Sequence, residues 1–388
     1  MRAFLVVLDG VGIGALPDAA DYGDQGSHTL LHVAEAVGGL SLPRLERLGL
    51  GRLCPLPGVR AVGDPEGARG RLAEASPGKD STTGHWELAG LVLERPFPTY
   101  PRGFPEPLLE RWSERTGRGW IGNVAASGTE IIQRLGEEHR RTGRLIVYTS
   151  ADSVFQVAAH EATVPLEELY AACRAARELL TGEHAVGRVI ARPFAGSPGD
   201  YRRTVNRRDF SLAPPAETLL DRMVRAGRRV VTVGKVDDLF AGRGVTEAIH
   251  TAGNAEGEAV LSDLARRSGE GLVFANLVDF DQQYGHRNDP VGFARALEQF
   301  DERLGEIEAR LRSDEILLVT ADHGNDPTTP STDHSREYTP LLTAGPRVRR
   351  GADLGTRATF ADVAATLAEM FGLARLAAGR SFLAEVRT

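Results

Sequence analysis

The sequence is poor in lysine and in cysteine. Its 388 residues include 46 basic ones, of which only Lys79 and Lys235 are lysines. Lysine kept at two positions of an arginine-rich chain indicates that a compact ammonium group is needed there, and chance retention is the alternative. The two cysteines, Cys54 and Cys173, exclude a disulfide framework, which is typical of a reducing compartment. Cys173 lies in the amphipathic run "LEELYAACRAARELL", so we expect a core thiol there.

Long apolar runs and an excess of positive charge are also missing. No segment approaches the ~20 apolar residues of a membrane span, and the apolar run in "MRAFLVVLDG" is too short for a signal peptide. The formal net charge of −7 argues against a general nucleic-acid-binding surface, so an anionic ligand would require a local positive site. We therefore expect a cytoplasmic protein that binds neither membrane nor nucleic acid, and nothing in the chain indicates an obligate protein partner.

The pattern of apolar runs predicts an α/β fold. Short apolar runs of the kind that form fully buried strands alternate with amphipathic helical patterns, which favours a mainly parallel sheet flanked by helices. The predicted strands are 3–9, 144–152, 228–235, 271–281 and 315–324. The predicted helices are 215–227, 255–267, 293–311 and 359–373, the last opening with a T-x-x-D capping pattern.

Two proline-rich breaks, at 95–107 and 208–215, bracket a segment with its own helices and strand pattern. A chain of this length and 41% hydrophobic content can form two domains. We predict a core formed by residues 1–95 and 216–388, interrupted by an inserted domain over residues 96–215, which is a plausible domain size.

Polar side chains stand at the ends of the predicted core strands. Asp9, Lys235 and Asp281 each close a strand, and Asp322 and His323 close another. Parallel α/β sheets bind ligands outside the carboxyl ends of their strands. Residues that are far apart in sequence are therefore expected to meet at one edge of the sheet.

Three aspartates and three histidines form a candidate metal-binding set. Taken singly, each is a common loop residue: Asp9 could cap a turn in "DGVGIG", and His334 could bond a loop in "TDHSREY". Gathered at one edge, carboxylates and imidazoles suit Mn²⁺, Zn²⁺ or Fe²⁺ better than Mg²⁺. Six ligands exceed what one open catalytic ion needs, which favours two cations. The set is Asp9, Asp281, His286, Asp322, His323 and His334.

The stretch "KDSTTGHWE" places three consecutive hydroxyls at a predicted helix start. They could simply cap the helix. A hydroxyl between two divalent cations would instead lose its proton far below its usual pKa and become a nucleophile, with the helix N–H groups holding phosphoryl oxygens. Beside six candidate ligands we favour the nucleophile, and the pattern alone leaves Ser81, Thr82 and Thr83 open. His85 could shuttle protons or orient the turn, and it stays unassigned. We interpret Trp86 and Glu87 as packing and capping residues.

Six motifs together resemble bacterial phosphopentomutases of the alkaline phosphatase superfamily. They are "LDGVGIGALPDA", "GKDSTTGHWE", "YTSADSVFQVAAHE", "NLVDFDQQYGHR", "TADHGNDPTTPSTDHSREYTPLL" and "RSFLAEV". "ADHGND" alone is shared with cofactor-independent phosphoglycerate mutases, whereas the combination is far more specific. The resemblance covers essentially the whole chain and implies an alkaline-phosphatase-like core with an inserted α/β cap domain.

The resemblance implies a role for each member of the metal set. One cation would be held by Asp9, Asp322 and His323, and the other by Asp281, His286 and His334. Asp279 competes with Asp281 in "DFD", and we prefer Asp281 because the family ligand stands five residues before the histidine.

The nucleophile implied by the resemblance is Ser81, whose oxygen would bridge both cations. The family usually has threonine directly after the Lys-Asp pair, so this chain departs from the pattern at Ser81. Serine fills the same role elsewhere in the superfamily.

The reaction implied by the resemblance interconverts ribose 5-phosphate and α-ribose 1-phosphate, and the 2-deoxyribose forms, through a phosphorylated enzyme and a pentose bisphosphate. It implies two divalent cations, for which we expect Mn²⁺, and priming by a sugar bisphosphate. The inserted domain would act as a lid that excludes water. Several of its arginines could hold the distal phosphate. The residues that match the family's substrate-binding positions are Ser150, Asp152, Arg188, Arg203 and Lys235.

Two alternatives remain from the sequence. A metal-dependent phosphatase or another phosphosugar mutase on the same core would release inorganic phosphate or act on a different substrate. A non-catalytic metal-binding or sugar-phosphate-sensing protein is the other, and the complete set of candidate ligands argues against it.

Overall fold

The chain divides into two units in the computed structural model, which describes residues 1–150 and 152–388. Unit 1 combines Met1–Pro96 with Pro214–Thr388, and unit 2 is Phe97–Ala213. The boundaries that we predicted, after residues 95 and 215, differ from these by one and two residues. Each unit has its own sheet and its own apolar core.

The strands are numbered in chain order. They are β1 (Arg2–Leu8), β2 (Ala68–Leu72), β3 (Trp120–Ala125), β4 (Leu145–Thr149), β5 (Val154–His160), β6 (Arg188–Ala195), β7 (Arg202–Arg203), β8 (Arg208–Ser211), β9 (Val230–Val233), β10 (Glu247–Ile249), β11 (Gly271–Leu277), β12 (Glu315–Thr320), β13 (Thr339–Ala344) and β14 (Asp353–Arg357).

The α-helices are numbered in the same way. They are α1 (Thr29–Val37), α2 (Pro43–Leu48), α3 (Leu50–Leu53), α4 (Ser81–Leu88), α5 (Glu106–Thr116), α6 (Gly128–Thr142), α7 (Leu166–Leu179), α8 (Leu219–Arg225), α9 (Val236–Leu239), α10 (Asn254–Arg266), α11 (Pro290–Glu308), α12 (Ala361–Met370) and α13 (Leu383–Val386). Short 3-10 or π-helical turns cover Ala19–Tyr22, Gly182–His184, Phe280–Tyr284 and Gly285–Arg287.

Unit 1 contains an eight-stranded sheet in the order β10-β9-β11-β1-β12-β13-β2-β14. The pairs from β10 to β12 are all parallel, whereas β13 runs antiparallel to both of its neighbours. Every residue of β1, β11 and β12 is buried, because helices cover both faces of a parallel sheet. The predicted α/β class with a mainly parallel sheet is confirmed.

Each predicted strand of unit 1 overlaps an observed strand, and the differences lie at their ends. The predicted strand 144–152 of unit 2 contains β4 and runs over residue 151, which lies outside the described residues. The short strands β2, β10, β13 and β14 were not predicted. β2 and β14 contain arginine and glycine and lack an apolar pattern. Pairing with neighbouring strands of the sheet holds them in place.

The predicted T-x-x-D capping box is not formed. The helix in the predicted range 359–373 begins at Ala361, and its N-cap residue Phe360 provides no side-chain cap. The Thr359 hydroxyl accepts from the Ala361 N–H at 3.1 Å and donates to Glu87 Oε1. The Asp362 carboxylate instead accepts from the Arg380 N–H and pairs with a neighbouring arginine. A complete capping box occurs elsewhere in unit 1, where Thr218 caps α8.

Unit 2 contains the sheet β3-β4-β5-β6-β7, with β8 also paired to β6. β3 is parallel to β4 and β5 is parallel to β6, whereas β4 and β5 are antiparallel. The helix α7 packs on β6 and buries the Cys173 thiol, as predicted. Throughout residues 1–150 and 152–388, no helix combines the length and apolar character needed to cross a bilayer.

Candidate active site

The carboxyl ends of β11, β1 and β12, which are neighbours in the unit 1 sheet, carry the predicted acidic residues. Asp9 follows β1, and Asp322 and His323 follow β12. Asp281 lies in the π-helical turn Phe280–Tyr284 after β11. Because these strands are parallel, the four side chains meet at one edge of the sheet.

Two histidines join this edge from the segments that follow. His286 lies in the turn Gly285–Arg287, and its Nε2 is 3.2 Å from Asp281 Oδ2. His334 lies in the loop before β13, and its Nε2 is 3.3 Å from Asp281 Oδ1. The ring centroids of His323 and His334 are 4.1 Å apart. The structure thus brings all six members of the predicted metal set together.

Two groups within this set have the spacing of metal ligands. In each group the potential ligand atoms lie within 4.8 Å of one another. One group is Asp281, His286 and His334, and the other is Asp9, Asp281 and His323. Asp281 therefore belongs to both groups, whereas the resemblance places it with one cation. Asp322 lies beside the second group, with Oδ2 3.4 Å from His323 Nε2.

The hydrogen bonds of two histidines orient their rings toward the carboxylates. His286 Nδ1 faces the Thr332 carbonyl oxygen, and His323 Nδ1 faces the Gly324 carbonyl oxygen at 3.0 Å. A carbonyl oxygen can only accept, so Nδ1 carries the proton in both rings. Nε2 is left as a potential ligand, which is the usual arrangement of a metal-binding histidine.

Three carboxylates lie close together at this edge of the sheet, which favours a bound cation. Burial, together with the carboxylates of Asp322 and Asp281, raises the pKa of Asp9. Although burial opposes the ionisation of Asp281, the imidazoles of His334 and His286 hold the pKa of its carboxyl well below its usual range. Three buried carboxylates therefore lie close together at this edge, and a divalent cation would offset the cost of burying their charge.

The surroundings of His323 Nε2 fit a cation in the same way. Ser81 Oγ, Asp9 Oδ1 and Asp322 Oδ2 lie 3.1, 3.3 and 3.4 Å from this nitrogen. One imidazole N–H could serve only one of three oxygens. Among the described residues, Asp9 Oδ1 has no hydrogen-bond partner, and Asp322 Oδ2 lies 3.1 Å from His85 Nδ1 without an aligned hydrogen bond. Buried oxygens without partners around one nitrogen are the ligand arrangement of a metal, so the residues fit divalent cations.

The helix α4 begins at Ser81, and its cap leaves this hydroxyl free. The side chain of Asp80 accepts from the backbone N–H groups of Thr82 and Thr83, at 3.0 and 3.1 Å. The Thr83 hydroxyl also donates to Asp80, and Thr82 is 7% exposed. Ser81 Oγ lies 3.1 Å from His323 Nε2, a member of the candidate metal set.

The expectation that the first N–H groups of this helix hold phosphoryl oxygens is wrong for two of them. Those of Thr82 and Thr83 are occupied by Asp80. The capping interpretation of Glu87 also needs correction, since its carboxylate accepts from Ala75, Ser76 and Phe360 backbone N–H groups. Glu87 therefore ties three segments of unit 1 together behind the nucleophile helix.

Asp279, the competitor of Asp281 in the sequence, is engaged elsewhere. Its Oδ2 accepts from the Asn254 N–H at 2.7 Å, and its own N–H donates to Asn254 Oδ1 at 2.9 Å. This reciprocal pair holds the start of α10.

Two asparagines that the sequence analysis did not identify donate hydrogen bonds to candidate ligands. Asn276 donates from Nδ2 to Asp9 Oδ2 at 3.0 Å, and Asn325 donates from Nδ2 to Asp281 Oδ1 at 2.6 Å. Asn276 is 1% exposed within an otherwise apolar β11. A buried amide in such a strand is the signal that could have drawn attention to it.

Lys79, one of the two lysines, contacts two acidic loops. Its Nζ lies 3.2 and 3.1 Å from the Asp24 carboxylate oxygens and 3.1 Å from Asp333 Oδ2. Asp333 precedes the candidate ligand His334. Lys235 is half-buried after β9, at the same end of the sheet as Asp9.

Unit 2 carries the other predicted substrate-binding residues. Ser150 Oγ donates to Asp152 Oδ2 at 3.3 Å, just after β4. Arg188 opens β6, and its Nη1 lies 3.8 Å from Asp209 Oδ2. Arg203 is exposed in β7.

Arg203 lies in a cluster of positive charge. A Cβ added to Gly128 would come within 2.0 Å of Arg203 Nη2 and 2.4 Å of the Tyr148 hydroxyl, so the Arg203 guanidinium lies close to the Tyr148 hydroxyl at the start of α6. Burial, with Arg207 nearby, lowers the pKa of Arg192 to about 10. Arg207 is itself paired with Asp209. Unit 2 thus has a local positive site, as an anionic ligand requires.

Comparison with known proteins places the chain in its family. The model of the metalloenzyme superfamily matches residues 1–375. A phosphopentomutase of Caldanaerobacter subterraneus is 57% identical over 385 residues, which cover 99% of this chain and 98% of that protein. A phosphopentomutase of Anaeromyxobacter dehalogenans is 60% identical over 386 residues, covering 99% and 98%.

A solved structure shares the fold. Leishmania mexicana phosphoglycerate mutase superposes with a TM-score of 0.51 at 15% identity, covering 98% of this chain and 96% of that one. At this identity the likeness concerns the fold alone. The predicted α/β fold class is thus confirmed.

Proposed function

The chain belongs to the phosphopentomutase family within the metalloenzyme superfamily, and we propose that it interconverts α-ribose 1-phosphate and ribose 5-phosphate, together with their 2-deoxyribose analogues. It is an enzyme of the isomerase type that transfers a phosphoryl group within its substrate. The observation that carries the assignment of its nucleophile is the position of Ser81 Oγ, 3.1 Å from His323 Nε2 and beside the candidate metal ligands.

In this proposal the enzyme rests with Ser81 phosphorylated after priming by a sugar bisphosphate. The phosphoryl group passes from Ser81 Oγ to the free hydroxyl of a bound pentose monophosphate, which forms a pentose bisphosphate. The bisphosphate then turns around and returns its other phosphoryl group to Ser81. Each transfer breaks one P–O bond and forms one, and the hydroxyl proton released in the first is taken up in the second.

Asp9, Asp322 and His323 would hold one divalent cation, and Asp281, His286 and His334 the other, with Mn²⁺ as the metal we propose. Such cations lower the pKa of a serine hydroxyl and neutralise charge on phosphoryl oxygens. Asp281 contacts His286 and His334, and it also lies within ligand spacing of Asp9 and His323. We infer that Asp281 sets the distance between the two cation positions.

Arginines of unit 2 and Lys235 are proposed to bind the phosphate that is not transferred. Guanidinium groups bind phosphate through two parallel hydrogen bonds, and Arg188 and Arg203 belong to the positive site around Tyr148 and Arg192. Ser150 and Asp152 are proposed to contact the sugar. A mutase must also keep water from its phosphoserine, and we assign this task to the inserted unit.

The decisive experiment follows ribose 1-phosphate by ³¹P NMR with Mn²⁺ and protein primed by a sugar bisphosphate. We expect ribose 5-phosphate with little free phosphate, whereas stoichiometric free phosphate would identify a phosphatase. Ser81→Ala is expected to abolish isomerisation, since it removes the hydroxyl that lies against the candidate ligand His323. Phosphopeptide mapping is expected to locate the phosphate on Ser81. A phosphate on Thr82 or Thr83 would contradict the assignment of the nucleophile.

A further inference from the structure

His85 is the buried histidine nearest in sequence to the proposed nucleophile, and neither the metal set nor the substrate-binding set uses it. It lies one helical turn after Ser81 in α4 and is 0% exposed. Its ring stacks on Phe274 of β11, with centroids 5.5 Å apart and planes 20° from parallel. Packing alone would account for the buried position of this ring. The partners of its two nitrogens show whether His85 has a further role.

Both nitrogens of His85 have partners. Nδ1 lies 2.9 Å from the Ser81 carbonyl oxygen and 3.1 Å from Asp322 Oδ2. Nε2 lies 3.2 Å from Nδ2 of Asn276, and the same Nδ2 donates to Asp9 Oδ2 at 3.0 Å.

These partners fix both the tautomer of His85 and the orientation of the Asn276 amide. The Ser81 carbonyl can only accept, so the proton is on Nδ1. Nε2 then accepts one Nδ2 hydrogen of Asn276 while the other goes to Asp9, which uses both hydrogens of that amide. Reversing the amide would set its oxygen against a carboxylate oxygen. The chain of bonds therefore has one consistent direction.

We propose that His85 and Asn276 are positioning residues that link the backbone of the nucleophile to a metal ligand. The link runs from the Ser81 carbonyl through His85 and Asn276 to the Asp9 carboxylate. It holds Ser81 Oγ at a fixed distance from Asp9 as the phosphoryl group leaves and returns. This inference rests on the proposed function for the role of Ser81, whereas the link itself is a feature of the structure.

The two halves of the link can be broken separately, because asparagine and glutamine imitate different nitrogens of histidine. In His85→Asn the amide reaches the position of Nδ1, so the bond to Ser81 is kept and the bond to Asn276 is lost. In His85→Gln the amide reaches the position of Nε2, so Asn276 keeps its partner and Ser81 loses its bond. Both variants replace a ring by an amide and share the loss of stacking.

The experiment measures Mn²⁺ binding by calorimetry and turnover of ribose 1-phosphate at saturating Mn²⁺. His85→Gln also removes the contact of Nδ1 with Asp322 Oδ2. For this variant we expect kcat at saturating Mn²⁺ to fall ~10–100-fold, with a loss of Mn²⁺ affinity smaller than in His85→Asn. For His85→Asn we expect Mn²⁺ affinity to fall ~10–100-fold with a smaller loss of kcat at saturation. Parallel changes of both quantities in both variants, or changes within about threefold, would show a packing role and overturn the inference.

A second variant tests the Asn276 half of the link. Asn276→Leu leaves His85 in place and removes the donor to Asp9, so Mn²⁺ affinity is expected to fall as in His85→Asn. Adding His85→Asn to it should weaken Mn²⁺ binding no further, because both changes break the same link. If either His85 variant does not fold, unchanged Mn²⁺ affinity in Asn276→Leu overturns the inference on its own.

His139 provides a matched control. It is also fully buried with Nδ1 against a carbonyl oxygen, and it lies in unit 2. His139→Asn and His139→Gln report on unfolding temperature alone, with kcat of the folded fraction unchanged. Wild-type protein in the same assay distinguishes a failure of the proposed function from a failure of the His85–Asn276 link. Wild type without mutase activity refutes the proposed function, whereas active wild type with parallel losses in the His85 variants refutes only the link.

Discussion

Replacing Gly84 by alanine tests how closely the nucleophile helix must approach the metal set. Gly84 lies in α4, and a Cβ there would be 2.2 Å from the Asp322 carbonyl oxygen and 2.9 Å from its Cβ. Real Cβ atoms essentially never come closer than 3.0 Å to another heavy atom, so α4 or the Asp322 segment must move by at least 0.8 Å. Ser81 is less than one turn away on the same helix and would move with it.

The stability and activity effects of Gly84→Ala differ in size. Alanine is favoured over glycine in a helix by about 1 kcal/mol, and overpacking a buried site costs about 1–3 kcal/mol. These effects partly cancel, so we expect the free energy of unfolding to fall by no more than about 2 kcal/mol. A misplacement of about 1 Å at a reacting group costs ~100-fold in rate, or ~2.7 kcal/mol of barrier. The loss of kcat should therefore be the larger effect.

The assay compares kcat for ribose 1-phosphate with the midpoint of chemical unfolding. Gly63→Ala is the control, because a Cβ there would have no heavy atom within 4 Å and its φ is not positive. It should leave both quantities unchanged. If kcat of Gly84→Ala stays within about threefold of wild type, the helix accommodates the methyl group without moving Ser81, and the reasoning is refuted.

Three further predictions follow from the same geometry. Burial raises the pKa of Glu258 from 4.5 to about 7, so the folded state holds its proton more tightly and loses stability as pH rises between these values. Glu258→Gln should therefore raise the free energy of unfolding by about 2–3 kcal/mol at pH 8 and by less than ~1 kcal/mol at pH 5, measured by urea titration. Equal gains at both values would contradict this account. Chelation with EDTA should abolish isomerisation and Mn²⁺ should restore it best, whereas full activity in excess EDTA would refute the role of the cations. Ser81→Thr, which restores the residue usual in the family, should keep kcat within about tenfold of wild type, measured on primed protein, and a loss as complete as in Ser81→Ala would refute the reasoning.

The location of the candidate site at one edge of the sheet could be predicted, because it depends on a local apolar pattern and on a general rule for parallel sheets. Asp9 and Asp281 each stand where a short apolar run ends, and parallel strands place such ends together. The strands β2 and β14 could not be predicted from the sequence, for the opposite reason. Their residues do not alternate between apolar and polar, and the strands are held by pairing, β2 with β13 and β14 with β2.

The supporting bonds could not be predicted, since they join positions remote in sequence. Asn276 meets Asp9 across 267 residues, and Arg336 meets Glu74 across 262. No local periodicity reports such a contact. The capping box predicted for α12 is absent for a related reason, because the Asp362 carboxylate that would have completed it binds Arg357 and the Arg380 N–H instead.

The retention of lysine at position 79 now has a physical account. A single Nζ reaches three carboxylate oxygens of two residues, Asp24 and Asp333, at 3.1–3.2 Å. An ammonium can do this because its three N–H groups rotate freely around one point, whereas the planar guanidinium fork of arginine is suited to one carboxylate at a time. Asp333 leads directly to the candidate ligand His334, and Lys79 directly precedes the Asp80 cap of the nucleophile helix. The lysine therefore joins the loop of a metal ligand to the start of the helix that carries Ser81, a task that depends on the shape of the cation as well as its charge.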